Sequence, residues 1–340
     1  MVTAVGNSTA QTVASWVAQS RRFRKFRLDG FADPFTIVDC QSITSELFGA
    51  DRLAALLPSA IIEAIESAPD LSASADAPCL EILIVPPRMG SADCERLSSE
   101  MTSWLAPYHG WSDRPRQRLI VSGGATAAWS ALEHAYQALL ENPHLQHVLI
   151  AAVDSACDPT QLTELAKADF LLRPGNSEGI VPGEAAACVL LERVANAAQI
   201  PVGSFAIHRP SLVLAGSPFW PSVNASEASA LGQTLASALS LAGMEAVHIS
   251  HLESDMDGSN WRALVEASAL NRVIFSETTA LPQWRPATLL GQTGAAFGLI
   301  GWVLPAVLHD QAIESVNTVL HWSIEPSGEC AACVIERSPY

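Results

Sequence analysis

The alternation of short apolar strand patterns with amphipathic helix patterns is the feature that most constrains this fold. Residues 82–85 form an apolar run that Pro86 ends, and residues 148–153 form a second apolar run. Between them, apolar residues recur at helical spacing over 125–140, and Asn142-Pro143 stops that helix. Strands and helices that alternate in this way predict an α/β layered fold around a buried sheet.

The second part of the chain repeats this scheme. Its predicted elements are helices over 231–241, 261–270 and 293–308, and strands over 246–252, 272–276 and 331–336. We therefore predict two similar α/β halves, residues 1–198 and 199–340, which join near 195–205.

Composition narrows the class of protein. Hydrophobic residues make up 49% of the 340 residues, which is enough for one large core or two fused cores and excludes a disordered chain. No uncharged apolar run reaches the roughly 18 residues of a membrane span. The first residues lack the basic and apolar regions of a signal peptide, and the scattered cysteines suit a reducing compartment, so we expect a cytoplasmic protein.

The net charge of −16 argues against nucleic acid or an anionic membrane as the main partner, because both attract basic surfaces. Residues 21–27, Arg-Arg-Phe-Arg-Lys-Phe-Arg, are a local exception in which five positive charges alternate with two aromatic residues. Two interpretations stay open for this segment. It is either a solvated loop after the first helix or a docking patch for an acidic partner, such as an acyl carrier protein.

Two short motifs have partial metal-site spacing. Cys330-Ala-Ala-Cys333 has the spacing of half a zinc site, but no second pair accompanies it. Glu253, Asp255 and Asp257 form an acidic group before a glycine, but the remaining ligands of a calcium loop are missing. We expect no metal site and no cofactor.

Six segments resemble β-ketoacyl synthases of the thiolase superfamily, and they occur in the family's order. They are 2–8 at a first strand and glycine turn, 124–128 at the nucleophile elbow, 148–154 at the strand after the nucleophile helix, 178–186 at a Gly-Glu-Gly-Ala motif, 291–298 at the Gly-His-Thr segment, and 327–337 at the glycine loop and last strand. The resemblance spans most of the chain. It implies a thiolase-like five-layered αβαβα sandwich made of two similar halves.

The residues that this family uses for condensation are replaced here. The resemblance implies a thiolate nucleophile at a helix N-terminus, where the helix dipole lowers the pKa of the thiol. That position falls on Gly124, or on Gly123 or Ala125 one step away, and none of these has a reactive side chain. The histidine of the Gly-His-Thr segment is Gln292, whose amide donates hydrogen bonds but exchanges no proton near neutral pH.

The other histidine of the family follows the strand predicted over 246–252. The count places it at Glu253, or at Leu252 if the register slips by one residue. His251 lies on the same strand face as Glu253, and either a structural role or a remaining role in the site is open for it.

Two further positions implied by the resemblance are also altered. The family's lysine falls on Ala287, and the paired glycines of its oxyanion loop become Gly328 and Glu329. A carboxylate in that loop would oppose a developing oxyanion. Together these replacements predict that condensation chemistry is lost.

Two functional readings follow. The first is a non-catalytic partner, scaffold or adaptor, like a chain-length factor or like the thiolase-like accessory proteins of bacterial secretion-effector clusters. The resemblance then implies a homodimer or heterodimer that forms through the strand Val148–Val153, and an acyl carrier protein or a secretion effector as partner.

The second reading is an acyltransferase or hydrolase that uses the remodelled pocket. Glu253, Gln292 and Ser122 are its candidate groups, although a serine hydroxyl needs a neighbouring base and Ser122 also suits a turn. A weaker third reading keeps the pocket as a sensor for an acyl ligand.

Overall fold

The computed structural model describes residues 1–67, 79–105, 118–194, 204–220, 228–274 and 281–338. The helices are α1 Thr9–Val17, α2 Gly49–Glu66, α3 Ser91–Leu105, α4 Ala127–Glu141, α5 Pro159–Lys167, α6 Ser229–Ala242, α7 Asn260–Val273, α8 Ala287–Leu290 and α9 Phe297–Asp310. The strands are β1 Val2–Thr3, β2 Arg24–Phe26, β3 Phe35–Ile37, β4 Cys79–Val85, β5 Arg118–Ile120, β6 Leu145–Ser155, β7 Glu184–Glu192, β8 Phe205–Ile207, β9 Ser211–Leu214, β10 His251–Ser254, β11 Gln283–Trp284, β12 Thr318–Ile324 and β13 Glu329–Arg337.

The longer strands form two sheets, one from each part of the chain. The first has the order β1-β7-β6-β4-β5, and the second has the order β11-β10-β12-β13-β8 with β9 also on β13. In the first sheet β4, β5 and β6 are parallel, and in the second β10, β11 and β12 are parallel. Among the described strands, neither sheet takes one from the other part. The boundary at 198 lies outside the described residues and stays a prediction.

Helices cover both sheets and separate them. Leu56 and Ile61 of α2 pack with Leu149 on one face of the first sheet, and α3 lies beside α2. On the other face, α4 and α9 lie between the two sheets in a core that contains Trp129 and Phe297. Helices α6 and α7 close the outer face of the second sheet. The order helix, sheet, helix, sheet, helix confirms the five-layered α/β prediction.

Strand β6 is central in its sheet, which corrects the prediction about the dimer. Residues 148–153 are fully buried, because the sheet is covered on both faces, and they therefore form an apolar run without alternation. One edge of this strand pairs with β4 and the other with β7. The prediction that Val148–Val153 pairs with a second subunit is therefore wrong, because no backbone edge is free there.

Three local elements also differ from the sequence-based expectation. Residues 246–248 form a 3-10 turn, and strand β10 runs from 251 to 254, later than predicted. Residues 272–273, predicted as the start of a strand, continue α7, because Val273 and Ile274 pack against the same core as the rest of that helix. Residues 275 and 276 of that predicted strand lie outside the described residues.

Two further observations concern the predicted partners and environment. The described part of the chain contains no helix long and apolar enough to cross a bilayer. The basic segment 21–27 is not only a loop, because its residues 24–26 form strand β2, which pairs antiparallel with β3.

Candidate functional site

Gly124 lies in the turn between β5 and α4, where the resemblance places a nucleophile. The carboxylate of Glu325 approaches this turn, and the backbone N–H of Ala125 donates a hydrogen bond to Glu325 Oε1. A Cβ at position 124 would lie 2.6 Å from Glu325 Cδ, closer than unbonded carbons approach. Glu325 therefore occupies the space that a side chain at position 124 would need.

The hairpin turn between β12 and β13 carries Glu325. Its backbone is closed by Glu325 N donating to Glu329 O at 2.8 Å and by Gly328 N donating to Glu325 O at 3.0 Å. Gly328 has φ +98°, and a Cβ there would lie 2.8 Å from Ser217 O, so the turn requires glycine. The Glu329 carboxylate pairs with Arg88 at 2.8 Å. The loop predicted as an oxyanion loop is thus a turn that projects a carboxylate.

Gln292 acts as a bridge between loops. Its Nε2 donates to Asp255 O at 3.0 Å and to Asp257 Oδ2 at 2.7 Å. Its backbone oxygen accepts from Gly183 N at 2.9 Å. With both amide hydrogens donated to protein oxygens, the Gln292 side chain serves as a structural link.

Asp255 is fully buried and binds the buried Arg262. Asp255 Oδ2 lies 2.5 Å from Arg262 Nη1 and also accepts from the hydroxyl of Ser323. Arg262 in turn donates to Ile324 O at 2.9 Å and lies 3.2 Å from Asp257 Oδ2. The guanidinium therefore joins the loop after β10 to the end of β12.

Four acidic side chains interact with this guanidinium, and a fifth interacts with one of those four, Glu325; we call the five the carboxylate cluster. Its members are Asp154, Asp255, Asp257, Glu266 and Glu325. Burial raises the pKa of Asp154 to about 7 and that of Glu266 to about 7. Burial also raises the pKa of Glu325, with a further contribution from the charge of Asp255, and Arg262 opposes the rise. Because their pKa is raised to about 7, Asp154 and Glu266 carry a proton in part of the molecules near neutral pH.

Asp154 shows how tightly the cluster is packed. Its Oδ2 accepts a hydrogen bond from the backbone N–H of Ala295 at 2.8 Å. A Cβ at Gly294, which has φ +48°, would lie 2.6 Å from Asp154 Cγ. Gly294 therefore provides space for the Asp154 carboxylate, which comes from β6.

Glu253 lies elsewhere, in the core between the two sheets. Its Oε2 is 3.7 Å from Nδ1 of the equally buried His321, and within the described residues neither side chain makes a hydrogen bond of ordinary geometry. Burial raises the pKa of Glu253 to about 8 and lowers that of His321 to about 3. Both side chains are therefore uncharged near neutral pH, and the aromatic ring of Trp129 stacks on His321 at 4.8 Å.

Asp255 and Asp257, and not Glu253, are the acidic residues that meet Gln292, Asp255 through its backbone oxygen and Asp257 through its carboxylate. The reason is the end of strand β10, which continues to Ser254 and so places the loop two residues later than the sequence suggested. Glu325 is a site residue that sequence reasoning missed, and Asp255 was considered there only as part of an acidic group before a glycine. The sequence signal for Glu325 is its position directly after the buried strand 318–324, where a charged side chain ends the run.

The remaining candidates have structural partners. His251 Nε2 bonds to Glu314 Oε1 at 2.9 Å, and its ring lies 4.7 Å from that of Trp284. The Ser122 hydroxyl donates to Pro87 O at 2.7 Å. Ala287 begins the short helix α8, where it is buried.

Two features of the described site bear on condensation chemistry. At the N-terminus of α4 the backbone amide that could stabilise an oxyanion is bonded to Glu325. Burial raises the pKa of Cys330 and Cys333 to about 12, so neither forms a thiolate. Among the described residues, no group of three histidine, cysteine, aspartate or glutamate side chains could hold a metal ion.

Comparisons with known proteins give the fold. No protein-family model matches the sequence, and no curated protein matches it either. A chain of the complex between a type II PKS acyl-carrier protein and its ketosynthase bound to the hexaketide is similar, with a TM-score of 0.76 and 14% identity. That match covers 99% of this chain and 97% of the other.

Two further solved structures are similar. The ketosynthase in complex with its chain length factor from Xenorhabdus doucetiae has a TM-score of 0.69 and 14% identity, over 98% of this chain and 95% of the other. The oxazolomycin ketosynthase domain from Streptomyces albus has a TM-score of 0.67 and 16% identity, over 85% of this chain. The match spans 60% of that domain's chain. These likenesses show that the chain has the thiolase fold of ketosynthases.

Proposed function

We propose that this chain is a non-catalytic, ketosynthase-like protein that acts as the partner or scaffold of another protein. The observation that carries the proposal is Glu325, whose carboxylate bonds to the first amide of the nucleophile turn beside a glycine. The fold supports the same conclusion, because the similar structures include a ketosynthase in complex with its chain length factor.

The chemistry of condensation explains why this arrangement is inactive. A thioester carbonyl that is attacked at a helix N-terminus develops negative charge, which backbone N–H groups stabilise. Here a carboxyl group occupies the N–H of Ala125, and no thiol lies at position 124. Any ionised fraction of Glu325 would repel the developing oxyanion, so both the nucleophile and the stabilising group are missing.

An exposed apolar surface supports a protein partner. Leu214 and Leu212 of β9 are 69% and 43% exposed, and Leu140 of α4 is 63% exposed. Arg209 joins these elements, because it bonds to Glu133 of α4 just before β9 begins. Leu212 and Leu214 project from the same face of β9, and neighbouring exposed apolar side chains of this kind are typical of protein–protein contacts.

The first sheet also offers a free strand edge. Among the described residues, β5 pairs only with β4 and forms the end of the sheet. We propose that the partner, a second copy or an intact relative, contacts this edge and the exposed surface of α4 and β9. Chain-length-factor-like pairing and an adaptor role for a secretion effector remain the two forms of this proposal, and the proteins that co-purify with the chain distinguish them.

Intact-mass analysis tests the loss of catalysis. The purified chain is incubated with acyl-CoA or with an acylated carrier protein, and an active ketosynthase is treated in parallel as the positive control. We expect an acyl adduct on the control and an unchanged mass for this chain. An adduct on this chain, or turnover of the acyl donor, would instead support the acyltransferase or hydrolase reading.

Light scattering after size exclusion tests the partner surface. We expect a dimer or a stable heteromeric complex, which the double substitution Leu212→Glu and Leu214→Glu dissociates. Leu264→Glu, at an exposed position of α7, is the matched control and leaves the complex intact. A monomeric native chain without a co-purifying partner contradicts the proposal.

A further inference from the structure

The basic segment, residues 21–27, is the densest concentration of positive charge on an acidic protein. It holds five of the 19 lysines and arginines of a chain whose net charge is −16. Five like charges over seven residues repel one another. An anionic partner that binds there offsets this repulsion, and its binding is therefore electrostatically favourable.

Most of these cations make no ion pair with an acidic group among the described residues. Arg24 is the exception, because it binds Asp39 through two hydrogen bonds of 2.6 and 2.7 Å. Arg21, Arg22 and Arg27 are exposed and make no ion pair with any described residue. Lys25 bonds to the neutral hydroxyl of Thr36. Four positive charges are therefore available to an external group.

The same segment has a free strand edge. Strand β2 pairs with β3 through the register Arg24↔Ile37 to Phe26↔Phe35, and no other described residue pairs with it. Alternate backbone N–H and C=O groups on its outer side are thus open to a further strand. The exposed ring of Phe23 lies at the beginning of this edge.

The hairpin is held in place by the body of the protein. Phe35 and Ile37 of β3 are buried in a small core with Leu162 and Leu171. Just after β3, Val38 N donates to Pro182 O at 2.9 Å, in the loop that leads into β7. A preorganised edge of this kind loses little entropy when it binds a peptide.

We propose that strand β2 binds an acidic, extended peptide segment of a partner protein as an added strand. The backbone of the peptide pairs with the outer edge of β2, and its carboxylates lie near Arg21, Arg22, Lys25 and Arg27. A short acidic segment suits the surface better than a nucleic acid or a membrane, because an extended polyanion would also meet the surrounding negative charge. This proposal is independent of the ketosynthase-like partner surface on α4 and β9.

Fluorescence anisotropy tests the charge recognition. The probe is a labelled short peptide that alternates glutamate and threonine, and the protein is the full chain at low salt. We expect Arg22→Glu to weaken binding roughly tenfold, whereas Arg272→Glu, the same charge reversal at an exposed position of α7, changes it less than about twofold. Equal effects of the two substitutions, or no binding by the native chain, overturn the proposal.

Two further probes test the class of the partner. A peptide of the same sequence with alternate amides N-methylated keeps its charge but cannot complete a strand ladder, and we expect it not to bind. If it binds as well as the parent peptide, strand addition is wrong. Tighter binding of oligothymidylate or of phosphatidylserine vesicles than of the peptide would also overturn the proposal, since the partner would then be a polyanion.

Discussion

The carboxylate of Glu325 fits beside the backbone of residue 124 only because that residue is glycine. The two residues are coupled across the whole chain, since Glu325 bonds to the amide of Ala125, 200 positions earlier. Burial and the charge of Asp255 raise the pKa of Glu325, so its protonated form is favoured more than in water. At the scale of the residue, the candidate site is filled by the Glu325 side chain, which packs against the turn at Gly124.

Gly124→Ala tests this packing. The added methyl group must displace Glu325, and we expect the free energy of unfolding to fall by about 1–3 kcal/mol. In a Glu325→Ala background the same substitution should cost less than about 0.5 kcal/mol, because the space is then open. Urea unfolding of the four proteins gives the coupling. Equal costs in both backgrounds would mean that Glu325 does not lie beside residue 124.

Helix α9 approaches its neighbours unusually closely at two glycines. A Cβ at Gly298 would overlap the Cβ of Ala128 in α4, and a Cβ at Gly301 would lie 2.5 Å from Nε2 of His321 in β12. At the scale of the element, these glycines bring the central helices against the second sheet. They also make room for the buried His321 beside Glu253.

Gly301→Ala should therefore destabilise the protein, although alanine is the better helix former by about 1 kcal/mol. We expect a loss of about 1–3 kcal/mol in the free energy of unfolding, because His321 and its aromatic neighbours must move. Gly232→Ala in α6 is the matched control, since its nearest foreign atom would be 3.9 Å away. The control should gain about 0.5–1 kcal/mol. A gain for both variants would show that α9 lies farther from β12.

The elements illustrate which parts of this fold a sequence predicts. The apolar run 148–153 and the helix after Gly124 were predicted correctly, because a buried strand and an amphipathic helix have different apolar periods. The end of β10 was not, because Glu253 and Ser254 are polar residues inside a buried strand. The prediction that β6 pairs with a second subunit was also wrong, because the position of a strand in its sheet depends on contacts that its own sequence does not show.

Buried acids affect the whole molecule through its protonation. The folded pKa of Asp154 and Glu266 is about 7 and that of Glu253 is about 8, against ordinary values of 3.8, 4.5 and 4.5. Between its ordinary pKa and its folded pKa, each acid is protonated in the folded state and ionised in the unfolded state. The folded state therefore binds more protons, and stability falls as pH rises. His321, with a pKa lowered to about 3, opposes this trend only below its ordinary 6.5.

The free energy of unfolding should consequently decrease from pH 6 to pH 8, steeply up to about pH 7 and then less steeply as the three acids ionise in the folded state too. Urea midpoints measured at half-unit intervals of pH check this. Glu253→Gln keeps the shape of the side chain but cannot ionise, and we expect a shallower decline for that variant. A stability that is flat or rises over this interval would contradict the burial of these three acids.

Local pattern determined the alternating elements, the lack of a thiol at Gly124, the amide at Gln292 and the basic segment, because each depends only on residue type and nearby spacing. Tertiary structure alone decided that Glu325 occupies the turn, that Asp255 meets Gln292, and that Glu253 is buried against His321. These contacts join residues far apart in the chain, and their geometry depends on how two sheets and the helices between them pack. That β2 has no second strand beside it among the described residues was decided in the same way, since only the folded chain shows which strands have a neighbour on each side.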